Sequence, residues 1–349
     1  MKKSDYIIRS NHSLSDVLKK INNNPKINCF FVNDDKNNFI GIIAEGDIRR
    51  AIINGYNVEH SISEIINRNY SYLSSTDVDL KKLIKYRENG LKLIPILNQK
   101  KRLVDYINFN NQKSYLPAEA LIMAGGLGSR LRPLTNNTPK PLIKVNDKPI
   151  IQYVVEQLIK YGVKKIYVSI GYLGSQIIAF FKENNQFGIN VEFIEEDKPL
   201  GTIGCLGNFH EKIKLNDIIV INSDILTDIN YESFYLNHIS NNNNISIASF
   251  NYKISIPYAV LDLNNKKVSG FSEKPKYNFP CNAGIYIINK SYLNIIPKNK
   301  FFNATDLIDS IIDKRGVVGH YQIKNYWRDI GAHEDLKMAE EESKKIFNE

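Results

Sequence analysis

Long apolar runs are missing from this sequence. No window approaches the roughly 20 consecutive apolar residues that a membrane-spanning helix needs, and the opening MKKSDYIIRS lacks the apolar stretch of a signal peptide. The expectation is a cytoplasmic protein without membrane contact. Cysteine is scarce: Cys29, Cys205 and Cys281 stand at no paired spacing, which argues against a disulfide framework or a cysteine zinc site and fits buried free thiols. Dense basic runs and RNA-binding motifs are missing too. The net charge of +9 is spread among many Asn and Ile residues, so a lysine-rich solvated surface is expected, with a few cations left for a phosphate-rich substrate and no nucleic-acid partner.

At 349 residues the chain is long for one core, which favours two or three domains. The first hundred residues repeat. FFVNDDKNNFIGII and IPILNQKKRLVDYI each read as strand, polar turn, strand. Upstream of them, SLSDVLKKI and DLKKLI place apolar residues on one helical face. NNQKSY and Pro117 read as a linker. Beyond it, strand-like AEALIMA, KKIYVSI, NVEFIEE and DIIVINS alternate with helical stretches such as PIIQYVVEQLIKYG, the pattern of a mostly parallel sheet covered on both faces. Residues 244–289 read as a run of short strands, and a last amphipathic helix is expected from about His333. Ligands of such sheets bind at the carboxyl ends of the strands.

The first strand of this region runs into GGLGSRLRPLTNNTPKPL. Glycines 125, 126 and 128 let backbone N–H groups converge on an anion. The loop is no Walker A, because no Gly-Lys-Ser/Thr follows. It is no dinucleotide fingerprint either, because Arg130 stands at the third glycine. Arginine there adds a permanent cation able to grip two phosphate oxygens. Lys140, between two prolines, sits on stiff backbone.

These residues resemble the signature of sugar-phosphate nucleotidyltransferases, G-G-x-G-x-R-L-x-P-L-T followed by P-K-P-L, nearly complete from Gly125 to Leu142. The resemblance extends over most of residues 118–349 and implies a Rossmann-like, mostly parallel open α/β sheet. It assigns Arg130 and Lys140 to catalysis, and Gly125, Gly126, Gly128, Gly201 and Thr202 to the nucleotide. Asp224 of NSDIL and Asp329 of WRDIG become magnesium ligands. Glu273 and Lys274 of FSEKP, with Asn282 and Gly284 of CNAGIYII, hold the sugar and its phosphate. Each fragment has a plainer reading: helix caps for the aspartates, a surface pair for Glu273 and Lys274, core filling for Trp327. PYAV carries Ala259 where these enzymes often have glycine.

The repeat resembles a tandem pair of CBS domains over 1–114, a smaller α+β module that commonly binds adenine nucleotides. By that resemblance Asp47 would contact a ribose and Arg49 and Arg50 its phosphate. Equally, Asp47 caps a helix and both arginines are surface cations. The second unit lacks counterparts, so at most one nucleotide site is expected. The transferase domain is then 118–349. A CBS pair ahead of it is similar to bacterial guanylyltransferases acting on glucosamine-1-phosphate in legionaminic acid biosynthesis. The implied substrates are GTP and a sugar-1-phosphate, mannose-1-phosphate being the alternative acceptor, with Mg2+ as cofactor and a homo-oligomer as the assembly. A non-catalytic nucleotide sensor is the reading from another class.

Overall fold

The structure, a computed structural model, describes residues 3–76, 78–184 and 187–347. The chain divides into two compact units, Met1–Tyr115 and Leu116–Glu349.

In the first unit, β1 (Ile7–Arg9), α1 (Leu14–Asn23), β2 (Cys29–Asn33), β3 (Phe39–Ala44) and α2 (Glu45–Ile53) are followed by β4 (Leu73–Ser74), α3 (Leu80–Glu88), β5 (Leu93–Leu97) and β6 (Leu103–Asn108). Each half folds the quoted strand–turn–strand as an antiparallel pair, β2 with β3 and β5 with β6. A short leading strand, absent from the sequence reading, adds in parallel to each pair. Ser13 caps α1, its hydroxyl accepting from Asp16 N at 3.1 Å while Asp16 accepts from Ser13 N at 3.0 Å. The halves share buried contacts: Asn108 donates to the Tyr6 hydroxyl at 3.0 Å. Among the described residues, no helix follows β6 in the second half to match α2.

The second unit continues with β7 (Ala118–Ala124), the short β8 (Lys144–Val145) and β9 (Lys148–Pro149), α4 (Ile150–Lys160), β10 (Lys165–Ile170), α5 (Gly174–Glu183), β11 (Asn190–Glu195), α6 (Leu206–Phe209), β12 (Asp217–Asn222) and β13 (Ile225–Thr227). Then come α7 (Tyr231–Ser240), β14 (Ile245–Ser255), β15 (Val260–Asn264), β16 (Lys267–Ser272), β17 (Lys276–Asn289), α8 (Ala304–Asp313), β18 (Val318–Gln322), β19 (Trp327–Asp329) and α9 (His333–Ile346). Seven strands form one sheet in the order β11-β10-β7-β12-β17-β14-β18. Neighbours are parallel except where β17 pairs with β12 and β14, so the expected mostly parallel α/β sheet is borne out. Strand β7 is buried almost throughout, as an apolar run covered on both faces must be. Helix α4 turns Ile150, Ile151, Val154, Val155 and Leu158 inward, three and four apart.

The expectation of a run of short strands over 244–289 holds for β15 and β16 and is corrected for the two strands that flank them. Strands β14 and β17 run 11 and 14 residues, because their β-branched and aromatic residues continue past the sheet as a two-stranded ribbon. The separate hairpin β15–β16 lies between them in sequence.

A small second core fixes the loops at the carboxyl ends of β7 and β12. Leu131, Ile143, Leu226, Ile330 and Ala339 pack together, tying the chain after the glycine turn to β13, β19 and α9. Arg328 on β19 donates through Nε and Nη2 to the two carboxylate oxygens of Glu342 on α9, both at 2.8 Å.

Candidate active site

Beyond the last residues of β7 and β12 lies a cleft of about 480 Å³, lined by residues 123–130 and by Lys140, Gly201, Thr202 and Asp224 among others. The glycine turn enters it directly from β7. Gly128 has φ +62, and a Cβ there would stand 2.9 Å from Lys140 Cβ, so the left-handed backbone and the close approach both require glycine. The Thr135 hydroxyl donates to Gly128 O at 2.9 Å and pins the turn. Arg130 is exposed. A Cβ on Gly331 would stand 3.1 Å from its Nη1, so the guanidinium lies along the backbone just after Asp329.

Asp224 follows β12, and Asp329 ends β19. Antiparallel pairing of β13 with β19 sets Ile225 opposite Asp329, and Ile330 N donates to Asp224 O at 3.0 Å. The ammonium of Lys140 is bonded to Asp224 Oδ2 and lies 3.8 Å from Asp329 Oδ1. Burial first, then the charge of Asp224, push the Asp329 carboxyl up to about 6. Two buried carboxylate oxygens, Asp224 Oδ1 and Asp329 Oδ1, lack a hydrogen-bond partner. Orphaned carboxylate oxygens on two convergent aspartates suit a hard cation that shares its remaining positions with water and phosphate. No group of three or more His, Cys, Asp or Glu side chains suited to a metal occurs among the described residues. Two carboxylates plus substrate oxygens is the ordinary magnesium arrangement.

Gly201 and Thr202 line the same cleft. Gly201 has φ +81 and no room for a Cβ, which would meet Phe302 O at 2.7 Å. The Thr202 hydroxyl accepts from Ala304 N at 2.8 Å, and its N–H donates to Asn303 Oδ1 at 3.2 Å. Thr202 therefore caps the start of α8 as well as facing the cleft. Gly284 lies behind the wall: a Cβ there would stand 2.6 Å from the amide nitrogen of Asn222, a lining residue. Asn282 Oδ1 accepts from Gly284 N at 2.9 Å, and its amide donates to the Tyr286 hydroxyl at 2.9 Å. Trp327 stacks on Phe250 with ring centroids 3.7 Å apart and donates to Ala283 O at 2.9 Å. Glu273 and Lys274 do not line this cleft; both are exposed, at the end of hairpin β15–β16.

Sequence reasoning missed Glu196, which lines the cleft with an oxygen 3.4 Å from where a Gly125 Cβ would stand. Burial raises its carboxyl pKa, while a hydrogen bond from Leu200 N at 3.2 Å opposes the rise. Its only signal was an acid just past the end of a strand.

In the first unit Asp47 is engaged within its own helix. It accepts from Ala44 N at 2.8 Å and pairs with Arg50, the capping arrangement. Arg49 borders a separate hollow of about 280 Å³ with Cys29 and Gly46. Burial pushes the Cys29 thiol up to about 12, away from reactivity.

Residues 119–345 match the nucleotidyl transferase family model, and residues 1–54 match the CBS domain model. A mannose-1-phosphate guanyltransferase of Yarrowia lipolytica is 31% identical over 225 residues, 62% of this chain and 62% of that protein. The chain thus spans less than two thirds of that relative. A D-glycero-alpha-D-manno-heptose 1-phosphate guanylyltransferase of Aneurinibacillus thermoaerophilus is 29% identical over 64% of this chain and 97% of its own. The crystal structure of HddC from Yersinia pseudotuberculosis complexed with GMP-PN superposes with TM-score 0.51 at 29% identity, over 64% of this chain and 98% of that one.

Proposed function

The chain belongs to the nucleotidyl transferase family, and from that premise we propose that it joins GTP to a sugar 1-phosphate, forming a nucleotide sugar and pyrophosphate. The observation that carries this is the meeting of Asp224, Asp329 and Lys140 beside a glycine turn at the carboxyl ends of the central strands. A phosphate oxygen of the sugar 1-phosphate attacks the α-phosphorus of the triphosphate. One phosphorus–oxygen bond forms, and the bond bridging the α- and β-phosphates breaks as pyrophosphate leaves. The barrier is chiefly electrostatic, because both reactants are polyanions.

The N–H groups of Gly125, Gly126 and Gly128 cradle the triphosphate. Arg130 neutralises the leaving pyrophosphate, and Lys140 the α-phosphoryl group. Magnesium held by Asp224 and Asp329 would polarise phosphate oxygens and offset their charge. Lys140, bonded to Asp224, orients that carboxylate and is itself held in place for the phosphate. Glu273, Lys274, Asn282 and Gly284 are assigned to the sugar phosphate.

GTP as donor is supported by relatives named for guanylyl transfer and by the GMP-PN complex of a similar protein. The acceptors in the relatives' names are mannose- and manno-heptose-1-phosphates. Glucosamine-1-phosphate is the second reading, favoured by the CBS match at residues 1–54 ahead of the transferase. The hollow beside Arg49 supports an adenine nucleotide in the first unit, through Arg49 rather than through the engaged Asp47.

The test is a matrix of the four nucleoside triphosphates against mannose-, heptose- and glucosamine-1-phosphate, read by pyrophosphate release. GTP should dominate its row of acceptors. Absence of pyrophosphate with every pair would overturn the catalytic reading in favour of a nucleotide sensor.

A further inference from the structure

Residues 297–303 lead into α8 beside the wall that Gly201 and Thr202 give to the cleft. Three glycines, at every third position of LGTIGCLG, admit this segment. Cβ atoms on Gly201, Gly204 and Gly207 would stand 2.7, 2.7 and 2.6 Å from the carbonyl oxygens of Phe302, Lys300 and Pro297, so the two backbones lie flush. Hydrogen bonds fasten them together. Phe302 N donates to Leu200 O at 2.8 Å, Ile203 N to Phe302 O at 3.1 Å, and Asn299 N to Asn208 Oδ1 at 3.0 Å.

On that fixed backbone the two phenylalanines part. Phe302 packs against the core cluster that contains Leu200, Ile203 and Leu307, whereas Phe301 is 63% exposed and is the one aromatic among the described residues that line the cleft. A ring held in place beforehand meets a ligand without the usual cost of ordering a loop.

The rest of the lining decides which part of a ligand meets it. Arg130, Lys140 and the glycine N–H groups serve phosphates. The glycine turn also presents Leu127, 55% exposed, with the Glu196 carboxylate beside Gly125, an apolar contact and an acceptor of the kind that a base with ring N–H and amino donors needs. Around Phe301 the polar groups are already engaged: Thr202 N donates to Asn303 Oδ1, and the Thr202 hydroxyl accepts from Ala304 N. Phe301 therefore offers a flat apolar face alone, which suits the C–H face of a pyranose.

We propose that Phe301 stacks on the ring of the acceptor sugar and thereby favours a pyranose whose C–H face is free to lie against it. That a sugar enters this cleft rests on the transferase reading.

The test compares GDP with GDP-mannose and GDP-glucosamine, titrated calorimetrically into wild type, Phe301→Ala, Phe301→Leu and Phe301→Tyr. Comparison with GDP isolates the sugar. At least one conjugate should bind the wild type more tightly than GDP does, and Phe301→Ala should weaken it by about five- to tenfold, the scale of one aromatic contact, with GDP unchanged. Tyrosine should restore the affinity and leucine should not, because the ring face is what the sugar meets. Equal weakening of GDP and conjugate would assign Phe301 to the base or to the fold and overturn the proposal. No weakening, leucine at wild-type affinity, or a wild type that gains nothing from either sugar over GDP would also overturn it. None of these titrations needs turnover. A loss confined to the sugar conjugate in a protein that releases no pyrophosphate upholds the contact and rejects only the catalytic reading, whereas pyrophosphate release without that loss rejects the contact alone.

Discussion

Asp224 and Asp329 lie 105 positions apart in the chain (329 − 224), yet the carbonyl of the first accepts from the residue after the second at 3.0 Å. Lys140 holds its ammonium between their carboxylates. If they share a divalent cation, Mg2+ should raise the melting temperature of the wild type and not that of Asp224→Asn or Asp329→Asn. Each variant should also lose about a hundredfold or more in turnover, the scale of removing one preorganised electrostatic group. Calorimetry with and without Mg2+, beside steady-state kinetics, checks both.

Arg130 is exposed and lies along Gly331, so its removal should spare the fold. Arg130→Ala should lower turnover by about a hundredfold with an unchanged melting temperature. Near-normal turnover would return Arg130 to a surface cation.

Gly128→Ala tests the turn by itself. Its φ of +62 and the 2.9 Å approach to Lys140 Cβ put about 1–3 kcal/mol of strain on an alanine. The strain is expected as lost stability in urea unfolding, and as lower turnover because relief displaces Lys140.

The Arg328–Glu342 pair gives a pH dependence with a defined sign. Hydrogen bonding to Arg328 holds the Glu342 carboxyl below its ordinary value of 4.5, so the unfolded chain binds the proton more readily. The pair's stabilisation is therefore present above about 4.5 and is lost as pH falls through the lower folded value. Glu342→Gln should cost about 1 kcal/mol or less at pH 7, the side chain being 39% exposed. The difference should shrink progressively as pH is taken below about 4.5, as denaturant melts across that range would record.

Asp47 has a similarly separable role. Asp47→Ala removes the acceptor of Ala44 N and should cost the first unit about 1 kcal/mol. If Arg49 rather than Asp47 carries nucleotide contact, calorimetric titration with AMP, ADP and ATP should show binding weakened more by Arg49→Ala than by Asp47→Ala.

Much of the architecture was legible in the sequence because it follows from local periodicity. Alternation of apolar strands with amphipathic helices is decided within windows of about ten residues, and the α/β sheet and the paired strand–turn–strand units followed from it. The glycines and Arg130 of the turn could be read as a phosphate cradle because backbone freedom and fixed charge are properties of the residues themselves. The leading strands β1 and β4 were not legible. At three and two residues they have no period of their own and exist through parallel pairing alone.

Only the tertiary structure decided which residues meet. Asp224 and Asp329 converge because β13 pairs antiparallel with β19 over the core of Leu226 and Ile330, a contact that spacing in the chain does not encode. Glu196 enters the cleft because β11 lies beside β10 in parallel. Glu273 and Lys274, within the family-like fragment FSEKP in sequence, are carried off by the continuation of β14 and β17. Side-chain type is written residue by residue. Proximity across a sheet is set by strand order and register, which depend on burying the whole apolar surface at once.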